Sequence, residues 1–156
     1  MKTYEEWERT GLVVELANQI ELYLTAIIES YVLPRDDRQA FFRSHVLNNA
    51  TVSLGSKIKI VLAINRDLSV VELNPDALHK VAQLRNAFAH NDLISGIRVD
   101  LNKDSSDPGS VIVGLESIKG NGELLYISRD DAFTQFKKYH KIAESNLKEM
   151  LGKMRA

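Results

Sequence analysis

A chain of 156 residues with 44% hydrophobic and 26% charged side chains has the length of one domain and the composition of a globular one. Disordered and collagen-like chains are excluded. Twenty basic against 21 acidic residues give a formal charge of −1, which excludes a protein that coats nucleic acid through a general basic excess and leaves only a local site for such a ligand.

Cysteine is absent, so disulfide scaffolds, zinc ribbons and thiol catalysis are excluded, and a reducing compartment fits. Met1 to Glu8 carries three glutamates and no apolar run, which is not the pattern of a signal peptide. No stretch approaches the ~18 uninterrupted apolar residues of a membrane span. The expectation is a cytoplasmic protein with no membrane contact.

Thr3 or Tyr4 to Leu33 reads as one long helix. Leu12, Leu16, Ile20, Tyr23, Ile27 and Tyr31 recur at steps of three and four, widened by Val13, Leu24 and Ile28. Pro34 ends it. Asp36 or Asp37 is placed to cap a second helix through Phe41, Phe42, Val46 and Leu47. A third runs from about Ser53 to Asn65, with Leu54, Ile58, Val61 and Leu62 on one side. The fourth starts at Asn74 as N-cap, with Pro75 at the first helical position and Asp76 in the first turn.

After Ser95 the period changes to two. Ile97, Val99 and Leu101 alternate, as do Val111 and Val113, then Leu124 or Leu125 and Ile127. Asp107-Pro108-Gly109 and Lys119-Gly120-Asn121-Gly122 punctuate them as turns. Ser128 or Asp130 then opens a last helix whose Phe133, Phe136, His140, Ala143, Leu147, Met150 and Met154 form a heptad seam, suited to packing along another long helix. The expected fold is mainly α: one domain over 1–156, a bundle of four to five helices with a small antiparallel hairpin or meander inserted at about 96–128, before the last helix.

On a wheel at about 100° per residue the fourth helix has two unlike faces. Ala77, Val81, Leu84 and Phe88 fall on one line and form the core face. His79, Gln83, Asn86 and His90 fall on the opposite line, and Arg85 sits on the flank beside Leu78. An ordinary solvent face is rich in lysine and glutamate, whereas this one holds two imidazoles and two amides, groups suited to specific hydrogen bonds. Spacing alone favours a plainer account: His79 and His90 capping carbonyls or solvated, and Asn91 ending the helix as a left-handed residue.

The residues themselves add more. Leu84-Arg85-Asn86-Ala87-Phe88-Ala89-His90 resembles the signature of the HEPN superfamily, a helical-bundle group containing many metal-independent ribonucleases. Arg85, Asn86 and His90 fill its arginine, polar and histidine places. Upstream, Leu54-Gly55-Ser56-Lys57-Ile58-Lys59-Ile60 is similar to the stretch before the signature in the mannitol-operon repressor branch, whose signature also reads Arg-Asn-x-Phe-Ala-His. The likeness spans about Val52 to Asn91, a quarter of the chain, and does not extend to the meander. The HEPN variant tied to nucleotidyl transfer has a tyrosine two places after the histidine; here that place is Asp92, which argues against that activity.

The resemblance implies a metal-independent endoribonuclease of toxin or defence type, with no cofactor, acting on RNA through a composite site at a homodimer interface. His90 carries the imidazole of the signature, a group suited to general acid or base work. Arg85 can grip phosphate oxygens and stabilise transition-state charge. Asn86 lies one turn before His90 and can orient its ring or a substrate oxygen. His79 and Gln83, on the same line, are candidates for holding substrate. Arg85 and His90 stand about 140° apart around the helix and about 7.5 Å along it, so two chains meeting at a two-fold axis are needed to bring one arginine to the other's histidine.

The same branch also implies an alternative, a non-catalytic transcriptional regulator acting through a protein partner. Near-neutral charge and the lack of a basic recognition helix argue against direct DNA binding. A third account makes the signature structural. Elsewhere, His140 on the apolar seam reads as a core histidine with one hydrogen bond, and His45 as a packing or surface residue. Lys137, Lys138, Lys141 and Lys148 form a modest basic face that is either solvated or guides RNA. No histidine–acid pair has metal-ligand spacing, and Gly120 and Gly122 do not make a phosphate loop.

Overall fold

The computed structural model describes residues 4–90, 97–99, 111–118 and 122–156. Four long helices and a three-stranded sheet make up the fold. α1 (Tyr4–Val32) is followed by a mixed stretch: a 3-10 turn (Asp36–Arg38), a single α turn, α2 (Gln39–Phe41), and a π turn (Phe42–Val46). Then come α3 (Leu54–Leu68), α4 (Pro75–His90), β1 (Ile97–Val99), β2 (Val111–Ile118), β3 (Leu124–Ser128) and α5 (Arg129–Arg155). The expected mainly helical bundle with a small antiparallel insert before the last helix is the observed architecture.

Side-chain contacts fix the directions of the helices. Arg9 bonds Asp130, and Lys148 lies over the Tyr23 ring, so α1 and α5 run side by side in the same sense. Glu21 meets Lys57 and Tyr31 meets Asp67, so α3 also runs with α1. α4 runs against them. The Asn74 N–H at its start donates to Asn146 late in α5, and Phe88 at its end meets Phe133 edge-on at 6.5 Å. Because α1 and α3 are parallel, the chain from Val32 must return along α1. The stretch from Asp36 to Asn49 does this, tied down by Arg43 on Glu29 and Asn49 on Glu21.

Capping chemistry explains most of the helix starts. The Ser53 hydroxyl accepts from the Ser56 N–H at 3.2 Å, and Ser128 accepts from the Asp131 N–H at 3.1 Å. Asn74 Oδ1 accepts from the Ala77 N–H at 3.0 Å, with Pro75 at the first helical position as its spacing predicts. α3 ends on Ser69 in the left-handed region at φ 51°. The second helix departs from expectation. Neither Asp36 nor Asp37 caps it: the N-cap position is Arg35, and Asp37 pairs with that arginine instead. Of its four expected apolar contacts only Leu47 is buried, while Phe41 and Val46 are exposed.

One apolar cluster unites the helices, with Val13, Ile20, Leu24 and Ile27 from α1 facing Ile58 and Val61, Val81 and Phe88, and Phe136, Leu147 and Met150. The buried line of α1 is turned slightly from the expected one. It runs through Val13, Ala17, Ile20, Leu24 and Ile27, leaving Leu12 and Tyr31 each 42% exposed. Packing against three helices on one side sets this centre, and single-helix periodicity cannot locate it to better than one residue. The segment Trp7–Val32 is long and apolar enough, by length and composition alone, to cross a membrane. Glu15, Glu21 and Glu29 interrupt it, so a count of uninterrupted apolar residues passes it over. Here its apolar line packs against α3, α4 and α5.

The strands pair in the order β1-β2-β3, both pairs antiparallel, with Ile97 opposite Val113 and Leu115 opposite Ile127. Leu115 is fully buried and joins the sheet to the helical core. The expected strand position of Leu101, the Asp107-Pro108-Gly109 turn and most of the second turn lie outside the described residues. Gly114 is required, because a Cβ there would overlap the Tyr126 ring and the Ile127 carbonyl. Gly114→Val is expected to cost roughly 1–3 kcal/mol through overpacking. Hydrogen exchange would read it as lost protection in β2 and β3 with α1 and α5 still protected; unchanged strand protection would refute the contact.

The α5 seam is as expected, with Phe136, His140, Ala143, Leu147 and Met150 buried. His140 differs in one respect from the expected satisfied core histidine: its Nε2 is buried with no hydrogen-bond partner among the described residues, beside the tilted Phe136 ring at 5.9 Å. An unmet buried polar atom costs more than an apolar one in the same place. His140→Leu is therefore expected to raise stability by about 1 kcal/mol, a Tm gain of about 3 °C for a domain this size. A fall in Tm would mean that Nε2 has a partner.

Candidate functional site

α4 separates its two faces as the wheel requires. Ala77, Leu78, Val81, Leu84, Ala87 and Phe88 are buried, and His79, Asn86 and His90 are exposed on the other side. The helix cannot rotate, because Phe88 is held between Phe133 and the Arg129 guanidinium, which lies 5.6 Å from its ring centre. Arg129 in turn reaches Thr10 on α1 at 3.5 Å. His90 therefore ends α4 at the end of the bundle where α1 and α5 begin.

Arg85 is half-buried on the flank, and its Nη1 donates to Asn86 Oδ1 at 3.0 Å. The guanidinium thus turns from the flank toward the exposed face rather than into the core. Among the candidates, Arg85 and Asn86 are brought together within one chain. No hydrogen bond joins His90 to either of them among the described residues. His79 lies three turns from His90, about 16 Å along the axis, on the same face. Gln83 is half-buried and already engaged within the chain. Asn91, a candidate helix terminator, lies outside the described residues, as does Asp92.

An arginine held by a neighbouring amide, with an exposed imidazole five residues on, can bind a phosphate and move a proton. On a straight helix the two positions lie about 140° apart around the axis and about 7.5 Å along it. Among the described residues no group of three histidines and acids is arranged to hold a metal ion.

The other singled-out residues are occupied elsewhere. The His45 ring stacks on Phe41 with centroids 4.5 Å apart, on the return stretch. In the basic face, Lys148 bonds Glu144 at 2.7 Å and is drawn over Tyr23. The same bond holds the Glu144 carboxyl below its ordinary value. Lys137 lies over the Phe133 ring at 4.7 Å, which places one exposed cation beside the α4 terminus.

A second polar constellation escapes the sequence reading. Glu21, Thr25 and Glu29 stand at steps of four on α1 and are buried, as is Lys57 on α3. Lys57 Nζ bonds Glu21 Oε1 at 2.5 Å and Asn49 Oδ1 at 3.0 Å, and Asn49 Nδ2 donates to Glu21 Oε2 at 2.9 Å. Arg43 forks onto both oxygens of Glu29, at 2.7 and 2.5 Å. The i, i+4 and i+8 spacing of these polar residues is visible in the sequence, but their burial depends on partners from other elements. Lys57 belongs to the upstream stretch of the family resemblance, and its place here is structural.

Comparison with protein-family models, with curated proteins and with solved structures gives no match to this chain, so the functional reading rests on its own residues.

Proposed function

We propose that the protein is a metal-independent endoribonuclease of toxin or defence type whose site is completed by a second copy of the chain. The observation that carries this reading is the Arg85–Asn86 hydrogen bond, which turns a phosphate-binding guanidinium toward the same exposed surface as His90. The roles follow from charge and side-chain chemistry. His90 takes the 2′-hydroxyl proton or returns one to the leaving 5′-oxygen. Arg85 from the other chain holds the phosphate and stabilises its developing charge. Asn86 positions Arg85, and His79 lies three turns away to contact the RNA strand. Gln83, already engaged, contributes less directly. The reading places the protein in the cytoplasm, where RNA is the substrate and an antitoxin is the expected regulatory partner.

The test is incubation of the purified protein with mixed RNA in EDTA, with end-group analysis. New 2′,3′-cyclic phosphate ends support the reading; intact RNA at every protein concentration counts against it.

A second reading is favoured by a different observation. The rings of Tyr4 and Trp7, on the first turns of α1, are 81% and 60% exposed, a feature of surfaces that meet other proteins. In that reading the chain is a non-catalytic regulator of the mannitol-operon repressor type, acting through a protein partner. It leaves RNA untouched, and replacing Trp7 releases the partner.

A further inference from the structure

The cleft between α1 and the return stretch holds about 570 Å³, within the range of small-molecule sites. It lies roughly 20 Å along α1 from the level of Arg9, well away from the α4 surface. Its charges are spent internally. Both oxygens of Glu21 are taken by Lys57 and Asn49, and both oxygens of Glu29 by Arg43. Two carboxylates and two cations balance in the lining, each already beside its counterion, so the cleft offers an entering ion no net charge.

What remains for a ligand is uncharged. The Thr25 hydroxyl sits midway between Glu21 and Glu29, buried in the cleft wall, and makes no hydrogen bond among the described residues. The Asn18 amide and the Asn48 side-chain NH2 also line the cleft, while Asn48 Oδ1 already accepts from the Ala50 N–H at 2.8 Å. Leu22, 70% exposed, stands with Leu47 as an apolar wall. A hydroxyl that both gives and takes, amide edges and flat apolar walls match an uncharged heterocycle with carbonyl and N–H groups.

We infer that this cleft is a binding site for an uncharged heterocycle of the nucleobase kind, with Thr25 bonding the ring edge and Leu22 covering its face. The site stands apart from cleavage at His90 and does not depend on it.

The test uses the full chain and the four ribonucleosides, which carry the base without phosphate charge, in calorimetric titrations up to about 10 mM. At least one nucleoside is expected to bind saturably. Thr25→Val, which keeps the shape and removes the hydroxyl, is expected to weaken it about fivefold or more. Leu22→Glu, at an exposed position, is expected to abolish binding with the Tm unchanged. Benzoate and benzamidine serve as charged ring probes and are expected not to compete. Failure of all four nucleosides to bind overturns the inference. So does binding that survives both substitutions, and so does displacement by either charged probe.

Discussion

Lys57→Met is expected to destabilise the protein by about 3–5 kcal/mol, a large part of the 5–15 kcal/mol that holds a typical domain together. The Lys57 side chain is 3% exposed and that of Glu21 11%, so the ammonium is the charge that balances the carboxylate away from water. Removing it strands Glu21 with Asn49 as its remaining hydrogen-bond partner, and a buried carboxylate served by one amide is poorly compensated. The return stretch should loosen as well, because Asn49 Oδ1 loses the Lys57 donor that fixes its amide. The partner experiment separates the pair's net worth from the cost of breaking it. Glu21→Leu combined with Lys57→Met should recover most of the loss, since well-packed apolar residues often replace a buried ion pair without penalty. Denaturant unfolding of the two single variants and the double variant supplies the cycle. A Lys57→Met protein within about 1 kcal/mol of the parent would show that Glu21 has found water or another donor.

His90→Ala is expected to reduce RNA cleavage in EDTA by about 10²–10⁴-fold with the fold intact, the range over which a positioned acid or base contributes. The side chain is exposed and outside the core cluster, so a change in Tm is not expected. Arg85→Ala should lower cleavage by about 10²–10³-fold through lost stabilisation of the phosphate charge. Mixing the two inactive proteins is the decisive measurement. If each site takes Arg85 from one chain and His90 from the other, random exchange gives half heterodimers with one complete site each, and about a quarter of the parent activity returns. A mixture that stays inactive, with exchange verified, would place both residues' work within one chain or outside the reaction. Cleavage unaffected by either substitution would remove the nuclease reading.

The sequence by itself determined the four long helices, the starts of α3, α4 and α5, and the two faces of α4. Asn74 and Pro75 specify a helix start locally, and apolar residues at 3.6-residue steps specify a buried side. Ala77, Val81, Leu84 and Phe88 are therefore buried and His79, Asn86 and His90 exposed, as the wheel requires. The small antiparallel insert was legible in its period-two alternation and turn residues for the same reason. The candidate residues Arg85, Asn86 and His90 came from the likeness of one short stretch to a family signature, and so lie on one element.

Tertiary structure decided what local chemistry leaves open. The buried line of Glu21, Thr25 and Glu29 depends on the return stretch lying across α1, which follows from α1 and α3 running parallel. A lone helix bearing two glutamates reads as having a wet face. Only when Lys57 from α3, 36 positions away, and Arg43 from the return stretch arrive beside them do those carboxylates become affordable away from water. Burial of charge is a property of pairs brought together by the fold, so it cannot be read from one element alone.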